Sequence, residues 1–179
     1  MARTTQQSAK TSRRTGSIST RDAIALLKAD HRQVEDWFKQ FKKAKKTERK
    51  QKLATQICDA LKVHMRIEEE IFYPAFLVAT QDMELHHEAE VEHAGAKRLI
   101  GEIEAMRPDD EYYDAKVKVL SEMIKHHVKE EEQPGGMFAE ARKSDMDLDD
   151  MGKRMAARKK EIAANGNGNP GLVRSLLNG

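Results

Sequence analysis

The sequence predicts an all-α protein, an up-down-up-down four-helix bundle with an additional C-terminal amphipathic helix. Three observations predict it. From Ile18 to about Ala163 apolar residues recur at three- and four-residue steps, β-branched runs and turn dipeptides are few, and the connections between periodic stretches are short. At 179 residues the chain fits one domain with tails, long enough to bury a core. The expected division is a disordered basic tail over 1–17, a helical domain over 18–163 and a flexible C-terminal tail over 164–179.

Ser19 or Thr20 offers a cap for the first helix, whose stripe is Ile24, Leu27, His31, Val34, Phe38 and Phe41. The second, roughly 47 to 78, runs Leu53, Ile57, Leu61, His64, Glu68 and Ile71 along one face, with Pro74 kinking it near its end. The third, roughly 83 to 106, presents Ala89, His93, Ala96, Ile100 and Ile103, and Asp109 or Asp110 caps the next. The fourth reads Tyr113, Val117, Leu120, Ile124, His127 and Glu131 before "QPGG" at 133–136 stops it. A fifth segment, about 147 to 163, shows Leu148, Met151, Met155 and Ile162 and is expected to pack outside the bundle.

Charged residues make up 35% of the chain yet cancel to +2, so no global field calls for nucleic acid or an anionic surface as a partner. Arg3, Lys10, Arg13 and Arg14, with no acid before Asp22, read as a solvated tail. Cys58 is the single cysteine, which excludes a disulfide scaffold, fits a small buried hydrophobe and points to the cytoplasm. No apolar run approaches the ~20 residues that a membrane helix needs, and the N-terminus shows no leader, so no membrane partner is expected.

Every bundle helix carries a histidine on its apolar stripe, and two carry a stripe glutamate one turn later. Residues four apart share a face, so His64 with Glu68 and His127 with Glu131 each point two donors at one centre, joined by His31 and His93. Buried carboxylates without partners cost several kcal/mol each, a penalty that a pair of cations removes. Nitrogen and carboxylate oxygen without thiolate favour iron or manganese, with zinc admitted. Two bridging carboxylates would give a dinuclear site with open positions for dioxygen, peroxide, nitric oxide or water. The remaining acids of the two runs, Glu69, Glu70, Glu130 and Glu132, read as a solvated face, as does Lys97. His126 should leave the stripe, and His86 lies too far along the axis. Tyr73, Tyr112 and Tyr113 read as packing residues. A rival Glu-x-x-His signature matches Glu84/His87 and Glu90/His93, but both copies fall on the third helix, where the ferritin-like arrangement needs two helices.

The stretches "KADHRQVEDWF", "LKVHMRIEEEIFYP", "VEHAGAKRLIGEIEAM" and "KHHVKEEE" resemble the bacterial hemerythrin-like HHE cation-binding family over roughly 20 to 162. The resemblance implies a non-haem di-iron centre, with Glu68 and Glu131 bridging and His31, His64, His93 and His127 terminal. Oxygen-carrying members place a second histidine on the third helix, where this chain has Lys97 and Ala89 around His93. That departure points from oxygen carriage toward sensing or handling of dioxygen, peroxide or nitric oxide, in stress or iron handling. Two other functions fit the same residues: a di-iron enzyme with catalase- or oxidase-like activity, and an interaction module with a structural metal.

Overall fold

Asp22 fixes where the first helix begins. Its carboxylate accepts from the Ala25 N–H at 2.8 Å, pairing one of the donors that every helix start leaves free. The computed structural model describes residues 22–165. Ser19 and Thr20, expected as the cap, lie outside the described residues, as do 1–17 and 166–179; the observed cap is Asp22.

Among the described residues the elements are α1 (Ala23–Lys43), α2 (Thr47–Ile67), a π-helical turn (Glu68–Phe72), α3 (Tyr73–Thr80), α4 (Met83–Glu104), α5 (Tyr113–Glu132), α6 (Met137–Lys143) and α7 (Leu148–Asn165). The stretch from α2 through the π turn to α3 is one long rod, so the bundle is α1, that rod, α4 and α5. Two apolar clusters show how the rods run. One holds Trp37, Phe41, Leu53, Leu61, Ile100 and Leu120, and the other holds Ile24, Leu27, Phe72, Phe76, Ala89 and Met137. α1 and α4 pass from the second cluster to the first, whereas the α2 rod and α5 pass the other way, which is the up-down-up-down order. On each rod the stripe histidine falls between the clusters.

Three local features depart from expectation. Pro74 does not simply kink the rod; a π turn precedes it, and proline sits in the first turn of α3. Proline has no N–H for the carbonyl four residues back, and in the turn just before it the ladder widens by one residue, the Tyr73 N–H bonding the Glu68 carbonyl. Neither Asp109 nor Asp110 caps α5. Asp110 accepts from the Arg107 N–H at 2.8 Å inside the preceding turn, and Tyr112 stands at the N-cap of α5 with no side-chain cap bond.

The third is α6, which periodicity did not reveal. "QPGG" ends α5 as expected, but Gly135 adopts φ +81° and a Cβ on Gly136 would stand 2.2 Å from the Glu130 carbonyl. Only glycine permits so tight a reversal. It turns α6 back under the bundle, where Phe138 stacks on the His31 ring at 5.8 Å with the planes 8° apart. α7 lies outside the four rods, as expected, against α1, α2 and the π turn, burying Met151 and Met155. No helix among the described residues is long and apolar enough to cross a membrane.

Candidate metal centre

The outward nitrogens of the four stripe histidines are all engaged. His31 Nδ1 donates to Glu132 at 2.8 Å, His64 Nδ1 to Asp30 at 3.3 Å, His93 Nδ1 to Glu69 at 2.8 Å and His127 Nδ1 to Glu92 at 2.7 Å. A carboxylate only accepts, so each Nδ1 holds its proton and each Nε2 is turned to the bundle axis. The acids are chain neighbours of stripe residues: Asp30 precedes His31, Glu69 follows Glu68, Glu92 precedes His93 and Glu132 follows Glu131. Each clamps the histidine of the adjacent rod. α1 holds the rod beginning with α2, the π turn holds α4, α4 holds α5, and α5 holds α1, so the ring closes around the bundle.

Inside that ring the Nε2 atoms meet in pairs, His31 with His64 at 3.0 Å and His93 with His127 at 3.3 Å. Glu68 lies between the pairs, its Oε1 3.2 Å from His64 Nε2 and its Oε2 3.5 Å from His93 Nε2. Glu131 Oε2 also faces both, at 3.3 Å from His31 Nε2 and 3.6 Å from His127 Nε2. Glu68 is 0% exposed, and neither of its oxygens has a hydrogen-bond partner of sound geometry; nor does Glu131 Oε2. All six residues expected from the sequence thus come together. Their donors form two sets within ligating distance, one of His31, His64, Glu68 and Glu131, the other of Glu68, His93 and His127. Buried oxygens left unpaired beside inward-facing imidazole nitrogens are chemically suited to cations.

Electrostatics bind the set together. Burial alone would lower the His64 and His127 pKa values, but Glu68 and Asp30 push His64 up to about 10, and Glu131 and Glu92 push His127 up to about 9. Burial holds His93 below its ordinary value. Burial would raise Glu131, yet His127 and His31 outweigh it and hold the carboxyl well below the usual range.

Several residues read otherwise in the sequence also reach the centre. Tyr73 is not mere packing: its hydroxyl donates to Glu131 Oε1 at 3.3 Å and lies 3.1 Å from His93 Nε2. The π turn is the cause. Five residues of α-helix would leave Tyr73 about 140° around the axis from Glu68, whereas the i→i+5 hydrogen bond sets it over that residue. Glu69 and Glu132 are clamps rather than solvated acids. Lys97 is the surface lysine expected, its side chain 48% exposed, and from there it bonds both Glu69 oxygens, at 2.6 and 2.5 Å. Lys159 of α7, 5% exposed, grips both oxygens of Asp30, at 2.6 and 2.8 Å. The sequence signal of Glu69, Glu132 and Lys97 is adjacency to a stripe residue, whereas Lys159 falls within the stripe of its own helix, four residues after Met155 and three before Ile162. His126 is exposed, His86 packs its ring on Tyr73 away from the inner nitrogens, Tyr112 is exposed, Tyr113 is core, and Cys58 is buried with its thiol pushed up to about 12 by burial.

Fold and donors together define a cation-binding helical bundle. The chain belongs to the hemerythrin HHE cation-binding domain family, whose pattern matches residues 22–134. Its fold is similar to the crystal structure of a hemerythrin HHE cation-binding domain-containing protein from Mycobacterium kansasii, with a TM-score of 0.67 at 23% identity over 87% of this chain and 99% of that one. A protein of Nostoc sp. described as a DNA nickase is 27% identical over 110 residues, 60% of this chain. The matched stretch spans 30% of that relative's length.

Proposed function

We propose that His31, His64, His93 and His127, with Glu68 and Glu131 shared, hold two non-haem iron ions, manganese being the alternative, and that the centre binds or senses dioxygen, peroxide or nitric oxide in oxidative or nitrosative stress or iron handling. The observation that carries this reading is Glu68, whose two buried, unpartnered oxygens face different histidine pairs. Bound iron would supply Lewis-acid and redox chemistry. The chain does the rest: the four outer carboxylates fix the imidazoles, and His64 and His127 give up their inner protons on loading, so uptake weakens as pH falls. The functional unit is one cytoplasmic domain over 18–163. DNA nicking is not carried over from a relative of which the chain spans 30%.

Protein purified from iron-supplemented cells should contain about two irons per chain and absorb in the near ultraviolet in a way that changes with nitric oxide. A stably helical protein free of metal under those conditions would overturn the reading.

Tyr73 favours a second reading, peroxide disproportionation to water and dioxygen. Burial, followed by Glu68 and Glu131, raises its pKa well above the ordinary phenol value, so the hydroxyl stays protonated as a donor beside the histidines. Tyr73→Phe should slow dioxygen release from peroxide by about 100-fold at unchanged iron content. Equal rates in the two proteins would remove Tyr73 from the chemistry.

A further inference from the structure

α1 packs far more closely on α2 than on α5. The looser seam holds a cavity of about 400 Å³ opening to solvent, with Arg32, Glu35 and Phe38 along its α1 wall and Ser121, Ile124 and Val128 along its α5 wall. A second space of about 10 Å³ lies among the rings of His31, His64, His93 and His127, closed by Val34, Leu61 and Met65. Its size is that of one water-sized molecule, so it admits two or three atoms and no organic ligand.

Three residues line both spaces: His31, Ile124 and Val128. Ile124 and Val128 stand one turn apart on the same face of α5, both half-buried. They are the apolar partition between the seam and the inner nitrogens. At the mouth Arg32 pairs with Glu132 and, at 3.6 Å, with Glu35, and Glu132 is also the acceptor of His31 Nδ1. Both approaches have charged rims, Lys125 and Lys129 on the seam and Glu88 and Glu130 between α4 and α5 near His127, but the second is only about 10 Å³ against about 400 Å³, so size favours the seam.

We infer that Ile124 and Val128 form a gate through which a neutral ligand of two or three atoms passes from the α1–α5 seam to the four histidines. The inference rests on the metal reading above for what waits inside, but the passage belongs to the protein alone. On a helix the χ1 of Ile124 and Val128 is stiff, but the outer methyl of Ile124 swings about χ2, a motion that at a partly exposed position takes picoseconds to nanoseconds, fast enough to pass a gas.

The test has two arms. With iron-loaded protein and nitric oxide in a stopped-flow spectrometer, Ile124→Trp should slow association at least tenfold and Val128→Ala should speed it. The equilibrium constant should stay within threefold, because entry and exit cross the same partition; Val91→Trp, at a position 73% exposed on α4, should change nothing. In metal-free protein under dioxygen pressure, paramagnetic relaxation should be stronger at the methyls of Ile124, Val128 and Val34 than at those of core Ile57. Wild-type rates in both gate variants, or Val34 methyls no more relaxed than those of Ile57, would overturn the gate. A wild-type protein that takes up no metal would sink the proposed function instead, and the dioxygen arm would then decide the gate by itself.

Discussion

Glu68→Gln should cut iron from about two per chain to one or fewer and abolish most of the thermal stabilisation that loading confers. Glutamine keeps the volume of the side chain and one acceptor oxygen, but its amide nitrogen cannot take the place of the second oxygen as a ligand. In the wild-type protein Oε1 faces His64 and Oε2 faces His93, so the substitution spoils one donor set outright and leaves the other with a weaker, neutral donor. A cation present at a thousand times its dissociation constant stabilises the folded state by about 4 kcal/mol. For a chain of this size that amounts to a rise in the melting midpoint of roughly 10 °C. Metal analysis and circular-dichroism melts, with and without iron, read both quantities. A variant that still holds about two irons per chain would show that Glu68 is not shared.

The rods were legible because their stripes repeat at helical spacing, and the six inner residues because histidine and glutamate replace apolar residues in register. Such a substitution needs an explanation wherever the helix packs. The outer carboxylates were illegible for the opposite reason. Within "EEEIF" or "KEEE" a clamp and a solvated acid have the same neighbours in sequence, and only the rod alongside decides between them. Glu69 finds His93 and Lys97 within reach, while Glu70, one residue on, bonds Arg66 and Arg158 at the surface.

Backbone adjustments hid for a different physical reason. The π turn is a change of hydrogen-bond partner by one residue, signalled by Pro74 only as a disruption of some kind. Its consequence, Tyr73 aimed at Glu131 and His93, reverses the side chain's reading from packing to chemistry. α6 has seven residues, too few to establish a period, and lies directly behind a helix breaker. α7 was visible as an amphipathic helix, and Lys159 stands in its stripe, four residues after Met155 and three before Ile162, but a lone lysine on such a stripe ordinarily snorkels to water, and only Asp30 on the rod alongside keeps this one inside.

Lys159→Met should lower the melting midpoint by roughly 6–12 °C, from the loss of about 3 kcal/mol. The side chain is 6% exposed and its ammonium meets both oxygens of Asp30, which in turn accepts from His64 Nδ1. Burial alone would raise the Asp30 pKa, but His64 and Lys159 together outweigh it and keep the carboxyl below its ordinary value. Methionine fills the space and leaves that charge buried with His64 as its one remaining partner. The energy lies in the abandoned carboxylate, so Asp30→Asn in the Lys159→Met background should recover much of the loss, a coupling that a double-mutant cycle measures. Arg158, the preceding residue of α7, supplies the contrast: its 2.6 Å pair with Glu70 is at the surface, and Arg158→Met should barely move the midpoint. Because Glu69, Glu92 and Glu132 still clamp the other three histidines, iron binding in Lys159→Met should weaken at the position held by His64 more than at its neighbour. If Asp30→Asn adds to the damage instead of offsetting it, α7 is held on by Met151 and Met155 alone and has no hand in orienting His64.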